Sequence, residues 1–417
     1  MRVLAILWTV CLIRLCSAGF WCCCGGGTTD DNDPPQVTST PPKPSTPITL
    51  DLAKPDESHI NVEEQNIDGV LLKDYLPKDD LHISSVVDGD KELWKASGDE
   101  KCVFVESYSK GALELLYLET SESSGTKYKY FEKTDGKWNE IDEEPFNEKA
   151  KTFIGESGRD ASLNIAHPSR LLCQSFNYTF AANAVQLIVP NKGVSVSKLV
   201  NNTETVWTAE PGETFDHAKV YLNKDKKPEL VLLVTTLSGT PKETYLELKD
   251  GKWVSCNDKD AKMKNLKDTT EWKSDFELDL SASKDTDKCR IFEAELLGVT
   301  TRHFYPKPGH VPIKVQDGNK ELWKSTTCAT KFGSNSSDSC LSCLIYEKGD
   351  IKILEMITVE RLTKRYNYFE RVSGEAWKTI TEEDFDKKLK DMRNGTANPA
   401  PKKPDTSTLA PTKPSGN

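Results

Sequence analysis

Six tryptophans set in three pairs constrain this chain more than any other feature. Asp88-Gly-Asp-Lys-Glu-Leu-Trp94 returns as Asp317-Gly-Asn-Lys-Glu-Leu-Trp323, and Asn201-Asn-Thr-Glu-Thr-Val-Trp207 is a looser version of both. A second tryptophan follows each: Tyr130-Phe-Glu-Lys-Thr-Asp-Gly-Lys-Trp138, Tyr245-Leu-Glu-Leu-Lys-Asp-Gly-Lys-Trp253 and Tyr368-Phe-Glu-Arg-Val-Ser-Gly-Glu-Ala-Trp377. The register extends upstream to Leu50-Asp-Leu52, Leu163-Asn-Ile165 and Leu278-Asp-Leu280, and to prolines at 77, 190 and 306. The step from opening leucine to first tryptophan is 44, 44 and 45 residues. A period of about a hundred residues is the size of a domain, not of a solenoid turn. Three copies of one domain are therefore expected, at residues 48–152, 160–268 and 276–393, the second divergent and the third carrying an insertion.

Within each copy the signal is β. Ile83-Ser-Ser-Val-Val87 and Lys91-Glu-Leu-Trp94 flank a Gly turn that permits positive φ, which predicts a hairpin. Pairs at 102–106 with 113–118 and at 128–131 with 137–141 continue the meander. A short helix then closes each copy: Thr381 can cap it, with Phe385, Leu389 and Met392 on one face. Phe146 holds the matching place in the first copy and Ala261 in the second. The expected fold is mainly β, three tandem antiparallel modules, each a sandwich or partly open barrel closed by a short α-helix.

The ends are of another kind. Residues 1–18 read as a secretory signal, with Arg2, an apolar run to Ile13 and the small-residue site Cys16-Ser-Ala18. Residues 19–47 are a cysteine cluster and a Thr/Pro/Ser linker, and 394–417 a Pro/Lys/Thr tail, both too polar to bury a core. With a net charge of −10 and no clustered Lys/Arg, nucleic acid is not an expected partner. Cys22, Cys23 and Cys24 are candidates for acylation or for interchain disulfides, and membrane contact is expected only if they are acylated.

The pattern Asp-Gly-x-x-x-x-Trp followed by Tyr-Phe-Glu-x-x-Asp-Gly-Lys-Trp resembles the FAINT domain, named as frequently associated in Theileria. Those parasites carry it in tandem behind signal peptides, in expanded and often subtelomeric families. The resemblance implies a secreted parasite protein facing its host, and it names no reaction, since the family has no established activity.

The residues themselves point the same way. Trp94, Trp138, Trp207, Trp253, Trp323 and Trp377 could be aromatic platforms for a glycan or a cation, or anchors of a small core; recurrence at fixed spacing favours anchors. Cys340-x-x-Cys343 lacks the second pair that a zinc site needs, so no metal and no cofactor is expected. Cys328 with Cys340 or Cys343 is a candidate disulfide stapling the insertion, and Asn177, Asn201, Asn335 and Asn394 open glycosylation sequons. No nucleophile, base or phosphate loop recurs in register with the tryptophans. The expectation is a secreted, non-enzymatic protein that binds an unidentified host protein or glycan. A carbohydrate-binding module using exposed tryptophan, and a hydrolase with an unrecognised site, are the alternatives.

Overall fold

A computed structural model describes residues 45–394, apart from 68, 123–124, 154–157, 269 and 327–337. The signal, the 22–24 cysteines, Cys328, Asn335 and the tail after Asn394 lie outside the described residues. The chain is mainly β, and one order of elements occurs three times in succession. The first run is β1 (Thr46–Asp51), β2 (Ile60–Ile67), β3 (Val70–Pro77), β4 (Leu81–Asp88), β5 (Lys91–Lys95), β6 (Lys101–Lys110), β7 (Leu113–Glu122), β8 (Gly125–Thr134), β9 (Lys137–Ile141) and α1 (Glu143–Phe153). The second is β10 (Gly158–Asn164), β11 (Cys173–Phe180), β12 (Asn183–Pro190), β13 (Val194–Asn201), β14 (Glu204–Thr208), β15 (Glu213–Leu222), β16 (Pro228–Leu237), β17 (Thr240–Lys249), β18 (Lys252–Ser255) and α2 (Lys259–Asn265). The third is β19 (Ser274–Asp279), β20 (Cys289–Leu296), β21 (Val299–Pro306), β22 (His310–Asp317), β23 (Lys320–Lys324), β24 (Ser339–Lys348), β25 (Ile351–Glu360), β26 (Thr363–Val372), β27 (Lys378–Ile380) and α3 (Glu382–Arg393).

In each run a six-stranded antiparallel meander is accompanied by a three-stranded group, such as β10-β13-β14. The single pair Ile83↔Cys102 joins the two groups in the first run. The expectation of purely antiparallel modules is corrected here. The opening strand of each run pairs parallel with the fourth strand: β1 with β4, β10 with β13 and β19 with β22. A parallel neighbour needs a long crossover, and the hairpin of the second and third strands supplies it. Nothing in the local pattern of Leu50-Asp-Leu52 encodes that partner.

The middle strands of each meander are apolar on both faces, as in Leu230-Val-Leu-Leu-Val234 of β16, because both faces are covered. In the first run one face packs on the small group through Leu50, Ile83, Val86, Trp94, Val105, Leu116 and Phe131. The other face is covered by Phe146, Ala150 and Phe153 of α1, and its cluster continues into Leu163, Leu171 and Leu172 of the second run. The expectation of three closed modules is thus corrected at the level of the core, since the first two runs share one. The chain divides into two compact units, with the third run in a unit of its own. There Ile291, Phe304, Ile345, Leu354 and Trp377 fill one face of the meander, and Phe385, Leu389 and Met392 of α3 cover the other.

Helix α3 begins as its sequence predicts, with Asp384 N–H donating to the Thr381 hydroxyl at 3.1 Å. Helix α2 is shorter, capped by Asp258, which accepts from Ala261 N–H, and it buries only Met263. The hairpin β11–β12 turns on Ala181 and Ala182, at φ 48° and 66°. The left-handed region strains any Cβ-bearing residue. Ala182→Gly is expected to stabilise this unit by about 0.5–1 kcal/mol despite the added chain entropy. A rise in the urea midpoint checks it.

Candidate functional site

The recurrent polar residues meet at the β4–β5 tip of each run. The central residue of the opening triplet reaches across to the turn. Asp51 Oδ1 accepts from Ala53 N–H (3.0 Å) and Gly89 N–H (2.9 Å); Asn164 Oδ1 from Ala166 and Asn202 (both 3.0 Å); Asp279 Oδ1 from Ser281 (2.9 Å) and Gly318 (3.0 Å). Two backbone donors, one just past the opening strand and one at the turn, are thereby satisfied by one side chain. This clamp was missed in the sequence, although the residue recurs in register; its partner lies 38 or 39 positions away.

The turn aspartate has a second duty. Trp138 Nε1 donates to Asp88 Oδ2 at 2.9 Å, and Lys133 Nζ pairs with the same oxygen at 3.1 Å. In the third run Trp377 Nε1 donates to Asp317 Oδ2 at 2.7 Å, and Arg371 pairs with that carboxylate. Both cations also lie over the indole, at 5.3 Å for Lys133 and 4.8 Å for Arg371. Burial alone would raise the Asp88 carboxyl, but the indole N–H and the ammonium outweigh it and hold it below its ordinary range. The second run has lost the set together: Asn201 replaces the aspartate, Leu248 occupies the cation's place, and Trp253 Nε1 is buried without a hydrogen-bond partner among the described residues. The looseness of the second copy in sequence is therefore one missing lock.

Trp94 and Trp377 are buried, at 6 % and 5 % exposure, and Trp138, Trp207, Trp253 and Trp323 are half-buried. The two tryptophans of each run pack on one cluster. Trp323 Nε1 donates to Glu360 Oε1 at 2.9 Å.

Cys340 and Cys343 both lie on strand β24. A bulge at 341 turns both inward, buried, with Sγ atoms 3.7 Å apart. Cys340 matches Cys102, a likeness that the insertion hides in sequence: each immediately precedes a bulge and donates to the carbonyl two residues on. Burial pushes the Cys102, Cys173 and Cys343 thiols up, which makes them poor nucleophiles. Asn177 is exposed on the edge strand β11, Asn201 sits at its hairpin turn, and Asn394 caps α3. Among the described residues no group of three or more His, Cys, Asp or Glu is placed to hold a metal. Nor is any described helix long and apolar enough to cross a membrane.

One polar constellation does not recur, and it lies where the first run meets the second. Arg170, three residues before β11, sets its guanidinium over Tyr117, Tyr128 and Tyr130 at 5.4, 5.3 and 5.2 Å and pairs with Glu143. His167 stacks on Phe104 (4.5 Å, 9°) and pairs with Glu119 at 3.1 Å. Gln65 and Ser162 exchange two hydrogen bonds, of 2.9 and 3.0 Å. Beneath Arg170 lie Asp74, Glu106 and Tyr108, all buried. No sequence signal marks this site, because its members come from strands far apart in the chain.

Two stretches of the chain match the FAINT domain model. They are residues 49–124 and 168–239, and the model is described as a domain of unknown function. The first runs from β1 past the end of β7, so it takes in the clamp and the turn aspartate. The chain is also similar to the 104 kDa microneme/rhoptry antigen of Theileria parva, at 22 % identity over 365 residues. That match takes in 80 % of this chain and 38 % of the antigen, so the chain spans well under half the length of this relative. No solved structure matches.

Proposed function

We propose that this is an exported parasite protein of three FAINT-like β domains, non-catalytic, whose work is to bind a host molecule. The observation that carries the reading is the similarity along 80 % of the chain to a microneme/rhoptry antigen, a protein of apical organelles. The repeated order of nine strands and a helix, with its parallel pair and turn clamp, supports three copies of one domain. The polar residues common to the runs hold turns and indoles in place, which leaves the outward strand faces to vary between copies. The glycan-platform alternative loses its main support, since none of the paired tryptophans is exposed.

Three measurements test the proposal. N-terminal sequencing of the chain expressed in a secreting eukaryotic cell is expected to begin at or near Gly19. The mature chain is then expected to bind isolated host plasma membranes saturably, and to show no protease, glycosidase, phosphatase or esterase turnover above background. Retention of Met1, binding that never saturates, or a turnover abolished by a single polar substitution would each refute the part it addresses.

A further inference from the structure

We infer that Asp74 and Glu106 form a proton-operated clasp between the first and second runs, tight in mildly acidic solution and looser in neutral to alkaline solution. The two residues are direct cross-strand partners on β3 and β6. Side chains so placed sit about 4.5–5.5 Å apart at Cβ on one face of the sheet, where like charges repel. Here that face is the core shared with the second run, and Asp74 and Glu106 are only 8 % and 0 % exposed. Asp74 Oδ1 and Glu106 Oε1 both lack a hydrogen-bond donor among the described residues. Buried polar atoms rarely stay unpaired. One proton held between the facing carboxyls satisfies both orphaned oxygens and removes the repulsion.

The surroundings agree. Tyr108 donates to the other oxygen of Glu106, and Ser169 and Cys173 of the second run face that carboxyl. Glu63 on β2 adds negative charge toward Asp74 and is itself faced by Lys198. Arg170 is the nearby cation, but it is engaged by Glu143 and the tyrosine rings. Burial, and then the charges of Glu106 and Glu63, raise Asp74 well above its ordinary value; burial pushes Glu106 up to about 7 against the pull of its hydrogen bonds and Arg170. The same cross-strand positions hold Leu187 opposite Lys219 in the second run and His303 opposite Leu344 in the third. A carboxyl pair is thus peculiar to the junction.

The sign follows from linkage. Below about pH 4 the carboxyls are protonated in both the closed and the open chain, and the pair favours neither. Between there and about pH 7 the open chain has lost the proton that the closed junction still holds, so stability falls as pH rises.

Hydrogen exchange of the full chain tests this, with rates corrected for the intrinsic pH dependence. In the wild type, protection of residues 165–172 and of β3 and β6 is expected to fall between pH 5 and 8, by no more than about tenfold per pH unit, the limit for one proton. Glu106→Gln and Asp74→Asn, which keep shape and remove a charge, are expected to abolish that slope and hold the acid-level protection at pH 8. A wild-type slope unchanged in both variants, or an equal loss in β21 and β24, would overturn the clasp. Should both variants fail to fold, carbon-13 NMR titration of the wild type decides: no carboxyl titrating above pH 6 refutes the inference.

Discussion

Trp94→Ala is expected to destabilise the first run by about 3–5 kcal/mol, the cost of emptying a buried aromatic site whose walls only partly collapse. The indole is 6 % exposed and lies in the cluster with Leu50, Ile83, Val86 and Cys102, between the small strand group and the meander. Val86 is its direct partner across β4 and β5. Loss of this size is a large share of the stability of any single domain. Urea unfolding of the full chain, with hydrogen exchange to locate each transition, is the measurement. The transition carrying residues 45–153 should move to lower urea, and Trp94→Phe should recover most of the shift by refilling the space. An unchanged midpoint in Trp94→Ala would mean that the indole is not a core anchor, and the ligand-platform reading would return.

The second large effect is expected at Asp317. Its carboxylate accepts from the Trp377 indole at 2.7 Å and pairs with Arg371, and Trp377 is 5 % exposed. Asp317→Ala leaves a buried N–H without a partner and a cation without its anion. Hydrogen bonds to a charged group are worth about 1.5–3 kcal/mol each, but Arg371 still reaches water, so about 2–4 kcal/mol in total is expected for the third run. The second run is the internal control. Asn201→Ala should cost about 1 kcal/mol or less, because Trp253 Nε1 has no such partner to lose. Equal losses at the two positions would show that the aspartate acts through the turn alone. In the first run the depressed Asp88 carboxyl sets the pH sense. Its stabilisation is present above the unfolded-state value, about pH 4, and is lost as pH falls through the lower folded value. Acid therefore weakens the tips while it tightens the Asp74–Glu106 pair, and the two effects can be separated by substituting one aspartate at a time.

Much of the local architecture was legible in the residues. The hairpin turns, the meander order, the capped helix at Thr381 and the burial of its Phe385, Leu389 and Met392 all depend on interactions within a dozen or so positions. Periodicity and turn chemistry report such interactions directly. Module boundaries at 48, 160 and 276 fall within two residues of the first residues of β1, β10 and β19. The sequence did not place Cys340 and Cys343 on a strand, because Ser339 and Ser342 look like linker residues. On β24 Ser342 is instead buried beside a bulge that breaks the alternation of faces.

The sequence by itself determined the strand content, the turns, the helix caps and the spacing of the tryptophans, because each is set by neighbours along the chain. Only the tertiary structure decided which distant strands pair and what each face meets. The parallel β1–β4 partnership, the reach of Asp51 to Gly89 and the bond from Trp138 to Asp88 all span tens of residues. No periodic pattern records contacts of that range. The Asp74–Glu106 pair is the clearest case. Two acidic residues on alternating strands read as solvated surface, until the second run covers that face and leaves them in an interior where one proton must be kept.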